Sequence, residues 1–311
     1  MRENILFSLD TPYRQSLLVK GWYFGNPEQK SLAVMGAMRG DEVQQMYICA
    51  QLIQALAKLE QEGALSARCG ILVIPCANQA SMNVGRRFWA ADNTDINRMF
   101  PGYGEGETTQ RIAQRIFSAL QGYQYGIHVT SLYVPGRSLP HVRIMETGYD
   151  HPEEANDFGL PYTILRKPHP YDTTTLNYNW QIWDTQAFSL YSEETTEVDP
   201  ISARQAVDAV LRFLAGKGLC RPVAGAGEAT RIFHEEELHN VLATTGGLLI
   251  QRLALGAHAA AGDLLADVLN PFTGAVVEHL RTQVDGRVFF IHRSHLINGH
   301  DVAYRILPEQ G

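Results

Sequence analysis

The chain has 311 residues, 45% of them hydrophobic and 19% charged, which permits a large buried core and excludes wholesale disorder. With 26 basic against 33 acidic residues the formal charge is −7, so nucleic acid is not expected as an obligate partner, because phosphate binding needs a basic surface. No apolar run reaches the roughly 18 residues of a membrane span, and the opening MRENILFSLDTPYRQS lacks the apolar stretch of a signal peptide. The expectation is a cytoplasmic protein with no membrane partner.

In chain order, Leu17–Phe24 and Ser31–Gly36 are short β-type runs. A helix opens near Asp41, with Met46, Cys49, Ile53 and Leu56 recurring every three or four residues and Gly63 as its stop. Gly70–Pro75 is a continuous apolar run, as expected of a strand buried on both faces. Thr108–Leu120 reads as a helix, Tyr125–Ser131 as a strand and Ser202–Leu214 as a helix. Alternating strands and helices imply a mostly parallel α/β sheet. Residues 217–229 are rich in Gly, Ala and Pro and read as a linker. Beyond them, short β-type runs at Gly246–Leu255, Asp263–Val268, Gly274–Leu280, Gly286–His292 and Val302–Leu307 suggest a small all-β domain. The expected division is residues 1–217, a linker at 218–228, and residues 229–311. Cys49, Cys69, Cys76 and Cys220 lack CxxC spacing and are expected to be free and buried.

Several signals carry little chemistry. His234 and His239 are five apart, about 140° on a helix, so they could not share one metal; a solvated acidic face is the better reading. The glycine-rich loop Gly102–Gly106 follows no buried strand, and neither a Walker A sequence nor a GxSxG elbow is present. His292 and His295 are expected at the surface or in turns.

Three segments between Val34 and Arg143 are hard to explain by packing alone. The first is Gly36-Ala-Met-Arg39-Gly-Asp-Glu42. The second combines Pro75-Cys-Ala-Asn78, Arg86-Arg87-Phe88 and Asp95-Ile-Asn97-Arg98-Met-Phe100-Pro101-Gly102. The third is Gly126-Ile-His128 followed by Gly136-Arg137-Ser-Leu-Pro140-His141-Val-Arg143. Together these resemble the succinylglutamate desuccinylase/aspartoacylase family, relatives of the zinc carboxypeptidases, over most of residues 30–215 in order and spacing. The resemblance implies an α/β, phosphorylase/hydrolase-like mixed-sheet domain with helices on both faces, plus a small C-terminal all-β barrel-like domain. It also implies zinc held by a His, a Glu and a second His, a glutamate as general base, and arginines that clamp a substrate carboxylate. The ancestral reaction would be hydrolysis of the amide bond of an N-acyl amino acid or a peptide end.

Against that pattern, Arg39 stands at the first zinc-ligand position, and arginine has no lone pair for a metal. Glu42 and His128 keep the other two positions. Gly126 replaces the Asp that would hold the second imidazole's tautomer, so that support is expected to be missing. The best match to the catalytic-glutamate strand, Ala187–Ser192, puts Tyr191 at the glutamate position, with Glu193 and Glu194 close behind. Arg87, Asn97, Arg98 and Arg143 match or adjoin the family's substrate-binding positions; their structural alternative is pairing with Asp92, Asp95 or Glu146.

The leading expectation is a pseudoenzyme or partner-dependent member that keeps a carboxylate pocket, in which Arg39 replaces the metal electrostatically and pairs with Glu42. Its partners would be a small carboxylate-bearing ligand and an intact paralogue or a second copy. Two alternatives stay open. One is a metal-dependent hydrolase using Glu42, His128 and a substitute such as His141 or a water. The other is metal-free chemistry in which Arg39 polarises a carbonyl and Tyr191 acts as acid or base.

Overall fold

A computed structural model describes residues 1–10, 15–222 and 225–309. The chain divides into two compact units, Met1–Ser131 with Pro140–Ile232, and Leu132–Leu139 with Phe233–Gly311. Residues 223–224 of the expected linker lie outside the described residues. The flanking part is tied to the first unit: Leu65 and Cys220 form an isolated bridge, and the Glu228 N–H donates to the Gly159 carbonyl.

The first part of the chain forms β1 (Arg2–Leu9), β2 (Leu17–Gly25), β3 (Leu32–Ala37), α1 (Val43–Gln61), β4 (Gly70–Cys76), the short α2 (Gln79–Met82), α3 (Thr108–Leu120) and β5 (Tyr125–Thr130). Then follow β6 (Gly136–Ser138), β7 (His141–Met145), β8 (Tyr162–Arg166), α4 (Leu176–Ile182), β9 (Gln186–Tyr191), α5 (Pro200–Gly216) and β10 (Arg231–His234). The sheet of the first unit runs β1-β2-β4-β3-β5-β9-β7-β8. Its centre, β4-β3-β5-β9, is parallel, whereas β2 and β7 join it antiparallel.

Alternating side chains give the sheet two buried faces. Leu32, Val34, Ile71, Val73 and Ile127 pack with Ile48, Leu52 and Leu56 of α1 and with Val210 and Phe213 of α5. Ala33, Met35, Leu72 and Ile74 pack instead with Ile112, Ile116 and Leu120 of α3 and with Leu176 and Trp180 of α4. Burial on both faces is why these strands read as continuous apolar runs. All four cysteines are free and buried.

Gly126 sits where α4 crosses β5. A Cβ there would lie 2.7 Å from Cε3 of Trp180, so an aspartate has no room. Gly126→Ala is accordingly expected to destabilise the protein by about 1–3 kcal/mol through overpacking. Urea unfolding checks this, and an unchanged midpoint would show that α4 can move aside at no cost.

The second unit comprises β11 (His239–Leu242), β12 (Gly247–Gln251), β13 (His258–Ala259), β14 (Leu264–Leu269), β15 (Val276–Arg281), β16 (Gly286–His292), β17 (Leu296–Ile297) and β18 (Val302–Pro308). One sheet is ordered β11-β18-β16-β13, with β6 pairing to β16; the other is β15-β14-β12-β17. Both are antiparallel and share a core that includes Val241, Leu249, Val268, Val288, Ala303 and Ile306. The pairing of β6 explains why residues 132–139 belong with the C-terminal unit. Two expectations change here. His234 and His239 flank a single 3-10 turn, Glu235–Glu237, between two strands, so no helix face exists. His292 is buried at the end of β16, and its Nδ1 lies 3.2 Å from the Ser294 carbonyl oxygen.

No helix among the described residues is long and apolar enough to cross a membrane.

Candidate functional site

Because β3, β5 and β9 are parallel, their carboxyl ends share one edge of the sheet, and β7 starts there. In open α/β sheets this edge is where ligands are held. Register fixes the side-chain rows: His128–Ser189–Arg143 and Thr130–Tyr191–His141 run across β5, β9 and β7 on the α4 side.

From β3 the chain turns through Met38–Glu42 into α1, and Glu42 organises that turn. Its Oε2 accepts the backbone N–H groups of Met38 (2.9 Å) and Arg39 (3.0 Å). Its Oε1 accepts the Ser131 hydroxyl (2.6 Å) and Nη1 of Arg39 (3.1 Å). Arg39 is 4% exposed, and its Nε and Nη2 both donate to Oδ2 of Asp95, at 3.1 and 2.9 Å. Asp95 caps the next turn, with Oδ1 accepting the Asn97 N–H at 3.0 Å. One guanidinium therefore joins two buried carboxylates from separate loops.

Burial alone would lower the Arg39 pKa, but Glu42 and Asp95 hold it above its usual value. Burial alone would raise that of Glu42, yet Arg39, His128 and the Ser131 hydroxyl keep it below the ordinary carboxylate range. For His128, burial wins: its pKa is pushed down to about 4 despite the attraction of Glu42, with Arg39 and Arg143 acting in the same direction. At neutral pH the pair Arg39⁺–Glu42⁻ therefore stands beside a neutral imidazole.

His128 is 2% exposed. Its Nδ1 lies 3.2 Å from Asn177 Oδ1, and Asn177 Nδ2 donates to the Ser189 hydroxyl at 2.9 Å. The imidazole's orientation, expected to lack support once Gly126 replaced an aspartate, is thus held from α4 by Asn177. The opposite nitrogen, Nε2, is buried and has no hydrogen-bond partner among the described residues.

The other candidates divide. Tyr191 is buried, stacks on His141 with ring centroids 4.5 Å apart, and interacts with the charge of Arg39. Glu193 lies two residues beyond the end of β9 and is half-buried. Arg87 donates to Asp41 at 2.6 Å. Asn97 Oδ1 accepts the Leu176 N–H at 3.3 Å, which ties its turn to the start of α4. Arg98 donates to the Tyr171 carbonyl at 2.9 Å and lies 3.9 Å from Asp95. Arg143 differs from these: its guanidinium lies 4.8 Å from the centre of the Tyr191 ring, and among the described residues its buried Nε has no acceptor and no carboxylate pairs with it.

Among the described residues, no three His, Cys, Asp or Glu side chains are grouped so that they could hold a metal ion. His141, the suggested substitute ligand, instead lies flat on Tyr191.

Sequence reasoning missed Ser131, Asn177 and Ser189. Ser131 is three residues from His128, which strand alternation would send to the opposite face; it reaches Glu42 only because β5 ends at Thr130. Asn177 had no signal at all.

Residues 28–215 match the family model described as the succinylglutamate desuccinylase/aspartoacylase catalytic domain. The fold is similar to that of a succinylglutamate desuccinylase/aspartoacylase from Rhodobacter sphaeroides, with 18% identity, a TM-score of 0.78, and 94% of this chain and 89% of that one covered. It is also similar to a succinylglutamate desuccinylase from a Silicibacter species, with 19% identity, a TM-score of 0.81, and 98% and 94% covered. A product-bound ectoine utilization protein EutE from Ruegeria pomeroyi gives 19% identity, a TM-score of 0.77, and 94% and 89% covered. A search of curated protein sequences gave no match.

Proposed function

The chain belongs to the succinylglutamate desuccinylase/aspartoacylase family, and we propose that it binds a carboxylate-bearing ligand, an N-acyl amino acid or a peptide end, without hydrolysing it unaided. The family resemblance implies zinc, but the residues here do not fit that ion. Arg39 occupies a ligand position, carries a permanent positive charge and already holds Glu42 Oε1. A dication between Glu42 and His128 would meet that charge at close range.

One observation carries this reading. Of the two arginines that act on the His128 imidazole, Arg39 is neutralised by Glu42 and Asp95, whereas Arg143 has no carboxylate partner among the described residues. An unpaired, partly buried guanidinium at a sheet's carboxyl edge is a binding point for an anionic group. Arg39 then acts in place of the metal as a clamp between two loops. Tyr191 supplies a platform for Arg143 and stands where the resemblance implies a general base. Hydrolysis would need an intact paralogue or a second copy to supply the missing groups.

The test is zinc content of untagged protein before and after incubation with zinc, combined with calorimetric titration of N-acyl amino acids. The expected result is no zinc above background, binding of an N-acyl amino acid, and a roughly 10–100-fold loss of affinity in Arg143→Ala. The unpartnered Nε2 of His128 favours a second reading, an active metal-dependent hydrolase with an unusual ligand set. Near one zinc per chain, with hydrolysis abolished in Glu42→Ala and His128→Ala, would establish that reading instead.

A further inference from the structure

On the sheet face opposite α4, the outer surfaces of α1 and α5 form a two-helix layer. The two helices start side by side, since Gln44 Nε2 donates to the Asp199 carbonyl at 3.0 Å and to the Ser202 hydroxyl at 2.9 Å. Each follows a strand of the parallel sheet centre and returns from the same edge, so α1 and α5 run parallel to one another. A groove of about 490 Å³ lies between them. Its floor is apolar, made by Ala55 of α1 and by Val207 and Leu211 of α5, and Arg204 and Asp208 stand on its α5 wall.

Ile201 belongs to the same stripe of α5, three residues before Arg204 and seven before Asp208. It is 75% exposed. One helix thus carries an aliphatic side chain left in water and, about 15 Å further along its axis, an apolar hollow at Leu211. Arg204 and Asp208 are one turn apart, yet among the described residues neither forms an ion pair. A base four residues before an acid is the weaker order for pairing within a helix. Ala206 is the midpoint between Ile201 and Leu211 and also between Arg204 and Asp208. A two-fold axis through that level and normal to α5 therefore makes the surface complementary to itself, in shape and in charge.

We propose that the α1–α5 face is an interaction surface for a second copy of this chain. Ile201 of each copy enters the α1–α5 groove of the other near Leu211, and Arg204 of each pairs with Asp208 of the other. A partner of different sequence would have no reason to share the midpoint that relates these four residues. The face is about 25 Å long and about 20 Å wide, close to the lower end of specific interfaces, so the dimer is reversible, with a Kd on the order of 10 μM. The inference is independent of the carboxylate-binding reading. It sets the second copy on the side of the sheet away from the His128–Ser189–Arg143 row, so this contact adds no group to that site.

The experiment is sedimentation of the full chain between about 1 and about 100 μM, a range that brackets the expected Kd. The wild type should pass from monomer to dimer. Arg204→Asp and Asp208→Arg should each weaken the dimer by at least about ten-fold, because like charges then face each other across the axis. Ile201→Ser should weaken it by a similar factor through loss of the apolar contact. Mixing the two charge variants in equal amounts should restore association, since one presents two acids along the stripe and the other two bases. That recovery would not follow if either substitution had merely damaged the fold. A wild type that stays monomeric at about 100 μM overturns the proposal, as does a dimer that all three variants leave unchanged or a mixture that fails to reassociate.

Discussion

Arg39→Ala is expected to destabilise the protein by about 3–5 kcal/mol, read as a lowered midpoint in urea unfolding. The size follows from what is left behind. Glu42 is wholly buried and Asp95 nearly so, and both accept charged hydrogen bonds from one guanidinium. Deleting that cation leaves two carboxylates in a low-dielectric environment, held by backbone N–H groups, a hydroxyl and, for Asp95, the Arg98 guanidinium at 3.9 Å. Such groups must then protonate or draw in water, and each route costs free energy. The companion variant Arg39→Met with Glu42→Gln and Asp95→Asn removes all three charges and should recover much of the loss. A change below about 1 kcal/mol in Arg39→Ala would mean that the cluster is a surface-type pairing, and the proposal that Arg39 stands in for a metal would fail.

How far the sequence could carry the description depends on what kind of physics placed each residue. Strands β2 to β5 and helices α1, α3 and α5 were legible because burial on two faces or one face leaves a periodic trace, whereas β1, β7 and β8 were not read as strands. Boundaries moved by only a residue or two, as at Val43–Gln61 and Pro200–Gly216. The Arg39–Glu42 pair was also legible, since three positions at a strand-to-helix turn bring two side chains together. Tyr191 could be assigned to the site only by matching a strand pattern, yet register does place it in the row with Thr130 and His141.

What escaped were contacts made at long range between elements without periodicity. Asn177 reaches His128 from a seven-residue helix 49 positions away, and no spacing rule connects the two. Gly126 read as a lost aspartate, although the physical reason is the indole of Trp180 lying against it. The residues 132–139 joined the C-terminal unit through a three-residue strand, too short for any pattern to register. Arg87, Asn97 and Arg98 looked equivalent to Arg143 as candidate ligand contacts. Only the geometry separates three groups whose polar atoms are already hydrogen-bonded from one that, among the described residues, meets an aromatic ring and no carboxylate.

Stability is expected to fall as the pH is lowered from about 6.5 toward 4, with His128 responsible for the upper part of the decline. An imidazole in the unfolded chain protonates near 6.5, whereas burial and the neighbouring guanidinium groups of Arg39 and Arg143 hold the folded one near 4. Between those values the unfolded chain takes up a proton that the folded chain refuses, so each step down in pH favours unfolding. The separation corresponds to about 3 kcal/mol, fully lost near pH 4, and it contributes nothing to pH dependence above about 7. Glu42 acts in the same direction in a lower window. Its pKa is held below the usual 4.5, so its stabilisation is present above that value and is lost as the pH falls through the folded-state value. The two windows are consecutive, which makes them separable. His128→Asn should flatten the urea midpoint between pH 6.5 and 4.5 while leaving the steep loss below 4.5 intact. Parallel curves for wild type and variant across the upper window would show that the buried imidazole accepts its proton without penalty.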